Sequence, residues 1–297
     1  MDGILNVDKP AGQTSYGVVA RIKRLSGERR VGHAGTLDPD ATGVLPVCIG
    51  KATRIVEYLS DASKTYQAVI ELGAATDTYD AAGKVLQRGD TSGIDRTKLE
   101  SALNPFRGPI SQVPPMYSAL KHNGEPLYKL ARAGISIERK SRNITIYRLD
   151  ITDWQPPLVT IEVECSKGTY IRSLAHDLGQ ALGCGAYLKN LIRTTYGPFN
   201  INAAVSLPQL EEAFHEKRWK QFLYSIDYVL QNYRAVVMDE AAEKAMKQGN
   251  LLTLEQMASQ ENTSETHCRA YAIDGRFLGI LRYVPDKAMW QPEKVFF

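Results

Sequence analysis

The chain has 297 residues, 43% of them hydrophobic and 23% charged, with 36 basic against 33 acidic side chains for a formal charge of +3. This is ordinary for a soluble globular protein of one large domain plus a small one, and the charge is too small to argue nucleic-acid binding by itself. The four cysteines are scattered with no CxxC pair, which speaks against a zinc site and a disulfide framework. The start lacks the apolar segment of a signal peptide, and no apolar run approaches the roughly 18 residues of a membrane span, so a cytoplasmic protein is expected. Two basic clusters stand out: Arg21, Lys23, Arg24, Arg29 and Arg30, and then Arg132, Arg139, Lys140 and Arg142. Either reads as a solvated face or as a phosphate contact.

Residues 3–7 predict a short strand, and residues 8–12 a turn. Thr14 or Ser15 can cap a helix with Val18, Val19, Ile22 and Leu25 on its apolar side and Gly27 as its stop. Residues 31–54, VGHAGTLDPDATGVLPVCIGKATR, combine glycines, a proline and small residues, the chemistry of a tight, shaped loop. Pro39 restricts Asp38 to extended or turn geometry. Residues 44–49 predict a buried strand behind the loop. An acid on a stiff loop over a buried strand is well placed for catalysis, although Asp before Pro is also a common turn initiator. Asp38 and Asp40 alternate along the chain, which points them apart and disfavours a facing carboxylate pair.

Residues 53–59 carry helical spacing, and residues 65–73 alternate as a strand with Tyr66, Ala68, Ile70 and Leu72 on one face. Residues 76–83 form a polar turn with two acids and no further metal ligands nearby. A helix over 94–104 takes Asp95 as its cap. Residues 114–121 read as extended, Asn123-Gly124 as a hairpin turn, and 127–133 as a short helix ended by Gly134. Strands follow over 143–151 and 159–165. After a small turn at 166–169, a helix buries Ile171, Leu174, Ala175, Leu178 and Leu182. Arg172 lies in its first turn, where the helix dipole disfavours a cation, so it reads either as a surface arginine or as a charge with a job, such as pairing with an acid. A helical stretch over 207–224 closes the larger unit. Beyond it come a helix over 241–246, a polar exposed loop over 255–267, two strands over 268–273 and 277–283 joined by a type I′ turn at Asp274-Gly275, and a last strand over 292–297.

Several strings resemble, in order, the signatures of the TruB family of pseudouridine synthases. They are KPAGQTS (9–15), GHAGTLDP with ATG (32–43), SKTY (63–66), TDTYDAAG (76–83), PPMYSALK (114–121), SKGTYIRSL (166–174) and AYLKNLIRTTYGPF (186–199). The resemblance implies an α+β pseudouridine synthase fold over residues 1–230, a mixed, largely antiparallel sheet with flanking helices around a cleft. It implies a small β-rich, PUA-like RNA-binding domain over 231–297. The implied activity isomerises a uridine in the T loop of tRNA, position 55, without cofactor or metal. Asp38 would be the nucleophile, aimed and kept ionised by Arg172. Tyr170 would join them, Tyr66 would stack on the flipped base, His33 would fill the vacated space and Leu191 would line the uracil pocket. Lys9, Lys64, Lys121, Arg142 and Lys167 are expected RNA contacts. The partner is the T-arm stem-loop of tRNA, with no guide RNA, no membrane and a monomeric enzyme. Ile192 and Tyr196 depart from the family pattern, where a more basic or smaller residue is expected. Competing readings are a guide-RNA ribonucleoprotein subunit, a tRNA chaperone, and a glycoside hydrolase using Asp38 and Asp40.

Overall fold

The computed structural model describes residues 2–253 and 266–297. Among them, one eleven-stranded sheet forms the main body. Its path runs Val205–Ser206, Gly3–Lys9, Thr42–Ile49, Ala186–Tyr196, Lys64–Leu72, Leu158–Cys165, Arg142–Gln155, Gly108–Gln112. The first pair and the Thr42–Ile49/Ala186–Tyr196 pair are parallel; the other neighbours on this path are antiparallel. The expected mixed, largely antiparallel α+β architecture is therefore present.

Burial follows the sequence pattern strand by strand. Tyr66, Ala68, Ile70 and Leu72 are buried in alternation along Lys64–Leu72. The helix Ile171–Leu182 covers that face, placing Ile171, Leu174, Ala175 and Leu178 in the same apolar cluster. Thr42–Ile49 reads as a continuous apolar run because both its faces are covered. Leu45, Val47 and Ile49 pack on Val18, Val19 and Ile22 of the helix Ser15–Ser26, while Val44 and Cys48 pack on the other side with Ile55 and Leu59. That helix is capped by the Thr14 hydroxyl, which accepts from the Gly17 N–H, and stops at Gly27 with φ 68°.

The central strand Ala186–Tyr196 decides where chemistry can sit. It lies between the strand that follows the 31–43 loop and the strand that carries Tyr66, with Arg193 opposite Gly43 on one side and Tyr66 on the other.

A second sheet of four strands runs in the order Arg234–Met238, His267–Ala272, Phe277–Val284, Met289–Val295, with the helix Glu240–Lys247 against it. Ile280 and Phe296 leave its core and pack in the cluster of Ala52, Ile55 and Leu59. Lys294 pairs with Glu57 at 2.6 Å, so apolar and ionic contacts join this sheet to the main body.

Several expectations need correction. The helix expected over 207–224 ends at His215, because Lys217 adopts φ 59°; Leu223–Tyr224 instead pairs with Gly3–Lys9. Residues 114–121 are not extended: bends occupy 116–119, and the Ser118 N–H bonds to the Met116 carbonyl at 3.0 Å. The turn at 274–275 is not type I′, which needs two positive φ values. Only Gly275 has one, 84°, and its N–H bonds to the Ala272 carbonyl. The first strand continues through Lys9, and the last runs Met289–Val295 rather than over 292–297. The loop expected over 255–267 lies, up to residue 265, outside the described residues, and His267 opens a strand.

Gly43 shows how tightly the central strands meet. It has φ 100°, and a Cβ there would stand 2.3 Å from the Arg193 carbonyl oxygen. Gly12 also has positive φ, 74°, but open space around it. Gly43→Ala is expected to lower stability by about 2 kcal/mol or more, and Gly12→Ala by about 1 kcal/mol. Urea unfolding of the two variants tests this; equal losses would overturn the close-approach account.

Candidate active site

The loop carrying Asp38 is held by its backbone. The Ser15 hydroxyl accepts from the Leu37 N–H at 2.9 Å and donates to the Leu37 carbonyl at 3.2 Å. The Lys9 ammonium donates to the carbonyls of Pro10, Gln13 and Pro39 at 2.8, 2.6 and 2.8 Å. Asp38 is thus flanked by two fixed residues. The Ala34 N–H bonds to the Pro46 carbonyl at 3.0 Å, and the Ala41 N–H to the Asp38 carbonyl at 3.2 Å. At Gly35, with φ 63°, a Cβ would stand 2.5 Å from the Tyr196 ring.

From this loop Asp38 reaches Arg172, whose Nη2 donates to its Oδ1 at 2.9 Å. A partnering acid for the misplaced charge of Arg172 is therefore present. Arg172 is nearly buried, with 7% of its side chain exposed, while Asp38 keeps 42% and opens to the cleft. A second carboxylate, Asp80, stands 3.4 Å from the other terminal nitrogen of Arg172. The sequence reading placed Asp80 in a turn and gave it no role in the site. The turn is indeed structured: Asp77 accepts from the Lys84 N–H at 2.8 Å. Tyr79, just before Asp80, adopts φ 65° and stacks its ring on His176 at 3.8 Å. Only folding brings this turn against the helix that carries Arg172.

Tyr66 and Tyr170 both lie within electrostatic reach of Asp38. Tyr66 is 9% exposed and shares its apolar cluster with Leu37 and Leu191. Tyr170 precedes the helix Ile171–Leu182, and both its peptide groups bond to the buried Gln112 side chain, at 2.8 and 3.0 Å. The sequence offered no signal for Gln112. His33 ends the strand Val31–His33 with its Nδ1 buried and unpartnered. Burial and then Arg193 lower its pKa, so the imidazole is neutral at pH 7.

The five expected RNA contacts divide. Lys121, Arg142 and Lys167 are exposed. The charge of Arg142 is felt at Tyr170, and Lys167 pairs with exposed Asp61 at 2.5 Å. Lys9 and Lys64 are corrected: they are 0% and 7% exposed. Lys64 donates to the carbonyls of Ser60 and Ala62 at 2.8 and 2.6 Å and lies over the Tyr196 ring. Desolvation pulls both ammonium groups down to about 8. Their ammonium groups are spent on loop carbonyls instead of facing outward. Tyr196, noted for departing from the family pattern, is fully buried, so its size serves the core.

Burial also reverses one electrostatic expectation. Arg172 does pull the Asp38 pKa down, but desolvation outweighs it and Asp80 adds to the rise, so the net shift is upward from the ordinary 3.8. Folding therefore makes Asp38 harder to ionise than it is in the unfolded chain. Ionised Asp38 costs stability above the ordinary value, and the cost disappears as pH falls toward it. Asp38→Asn is expected to melt at a higher temperature than wild type at neutral pH and to lose that advantage below about pH 4. Arg172→Gln is expected to push the Asp38 titration higher still, as read by carboxyl carbon NMR. A wild-type Asp38 titrating below its ordinary value would overturn this balance.

Comparison with known proteins shows the family. A family model described as TruB family pseudouridylate synthase (N terminal domain) matches residues 23–171, and one described as tRNA pseudouridylate synthase B C-terminal domain matches 172–237. The tRNA pseudouridine synthase B of Dehalococcoides mccartyi is 44% identical over 296 residues, covering 100% of this chain and 97% of that protein. Its counterpart in Clostridium acetobutylicum is 45% identical over 280 residues, covering 94% and 95%. A crystal structure of a Cbf5-Nop10-Gar1 complex matches with TM-score 0.74 and 26% identity, over 99% of this chain and 85% of that one. The sheet described above is thus the pseudouridine synthase fold. Identity of this extent over nearly the whole length, with an acid–arginine pair on the strings that carried the resemblance, makes this chain an isomerase belonging to the TruB family of pseudouridylate synthases.

Proposed function

We propose that this enzyme isomerises uridine to pseudouridine in the T loop of tRNA, at position 55, without cofactor or metal. The observation that carries the reading is the Asp38–Arg172 pair, 2.9 Å across, on a loop fixed at both neighbours of Asp38. Pseudouridine formation breaks the bond from N1 of uracil to C1′ of ribose, turns the base, and joins C5 to C1′. The C5 proton is lost and N1 gains one, so the reaction balances with nothing consumed. One carboxylate nucleophile suffices, and Asp38 supplies it. Arg172 aims the carboxylate, and Asp80 holds Arg172 from its other side. The target uridine is flipped out of the RNA loop. Tyr66 stacks on the base, Leu191 lines the pocket beside it, Tyr170 closes the site near Asp38, and neutral His33 fills the vacated space in the RNA.

Lys121, Arg142 and Lys167 are the proposed contacts to the T-arm backbone. The four-stranded sheet belongs to a PUA-like RNA-binding domain over residues 231–297, beside a catalytic domain over 1–230. Identity of 44% to proteins named for tRNA, against 26% to Cbf5 in its complex, supports an enzyme that acts on tRNA without a guide RNA. We take it to act as a monomer in the cytoplasm. Asp40 is exposed, while Asp38 faces Arg172, and this favours the isomerase over a glycosidase with paired acids.

The test is pseudouridine formation in an unmodified tRNA transcript, with no cofactor or guide added. Wild type is expected to modify the T loop, and Asp38→Asn to lose turnover while binding tRNA within about tenfold, because phosphate contacts dominate RNA affinity. Product from Asp38→Asn at the wild-type rate would remove Asp38 from the mechanism. Replacing Lys121, Arg142 and Lys167 together by Gln is expected to weaken binding and to flatten its salt dependence by about two units of slope. An unchanged salt slope would move the backbone contacts elsewhere.

A further inference from the structure

Arg193 is a cation to which the proposed chemistry gives no task. It is 1% exposed, and among the described residues its side chain meets no carboxylate. Its Nε donates to the Val44 carbonyl at 2.7 Å and its Nη2 to the Gly35 carbonyl at 2.9 Å. The guanidinium carbon lies 4.8 Å from the centre of the Tyr196 ring, and Tyr66 is the direct cross-strand partner of Arg193, its hydroxyl held within electrostatic reach of the guanidinium. A buried cation with no counter-ion is costly, and an apolar side chain of similar volume fills a core more cheaply. What the guanidinium adds is a rigid fork of donors that serves two loop carbonyls at once and still presents its plane to a neighbouring strand. Gly35 and Val44 flank the segment that carries Asp38, and Tyr66 stands on the opposite neighbouring strand.

We propose that Arg193 is a positioning residue for the reaction, a single planar group that sets the Asp38 loop and the Tyr66 ring at a fixed separation; this rests on the roles given to Asp38 and Tyr66 above.

Arg193→Lys keeps the charge and removes the fork. With tRNA transcript, kcat is expected to fall about 100-fold, since small misplacements cost that much, while KM stays within about threefold. In a Tyr66→Phe background the same change is expected to cost less than about threefold, because the two act as one unit. A readout without RNA follows the link directly. The Tyr66 ring-carbon NMR signal, identified by its loss in Tyr66→Phe, is expected to move in Arg193→Lys. If Arg193→Lys does not fold, the Arg193 Nε–H signal is compared between wild type and Tyr66→Phe, and is expected to move. Additive kcat losses together with an unmoved Tyr66 signal would overturn the proposal, as would an unmoved Nε–H signal in the second comparison. A wild-type enzyme that makes no pseudouridine would defeat the functional reading instead. The spectra would still decide whether Arg193 and Tyr66 are linked.

Discussion

Two buried cations bonded to backbone carbonyls underlie the site. Lys9 takes the Pro39 carbonyl and Arg193 takes those of Gly35 and Val44, so the loop around Asp38 is gripped from beneath at both ends. Loops usually spend their carbonyls on water, which leaves them free to move. Here those carbonyls are buried against fixed charges, and Ser15 secures Leu37 from a third direction. Holding charge in the interior is unfavourable, as the lowered Lys9 pKa reports. The enclosing sheet and helices must outweigh that cost before the loop can keep its shape.

Asp38 carries the same tension into the cleft. Its surroundings make ionisation harder, yet a nucleophile must be ionised, and Arg172 works against the desolvation. Arg172 itself is buried between two carboxylates, so its orientation depends on Asp80 as well. Asp80 comes from a turn that keeps a tyrosine at positive φ, stacked on His176. Strain of this kind persists only where surrounding contacts over-determine it. Charge placement in the cleft thus depends on packing well outside it.

Much of this was legible in the chain. Alternation along 65–72, the cap at Thr14 with the stop at Gly27, and the apolar run at 44–49 are local patterns, and each element formed where its pattern lay. Arg172 could be singled out because a cation in a first helical turn needs a partner, and it has one. The misses share a cause. Lys9 and Lys64 look like surface lysines in a string of letters, because nothing local says that three or two carbonyls will converge on them. Asp80, Gln112 and Arg193 acquire their places from residues dozens of positions away. The helix expected through 224 fails at one residue, Lys217, whose left-handed backbone no periodicity foretells.

The sequence by itself determined the strands at 42–49 and 64–72, the helices at 15–26 and 171–182, the family strings and the acid on its stiff loop, because these depend on short-range sterics, capping and the period of apolar residues. Tertiary structure alone decided which charges are buried, which carboxylate shares Arg172, and which way the Asp38 pKa moves. Those outcomes depend on desolvation and on distances between strands that meet only in the folded sheet.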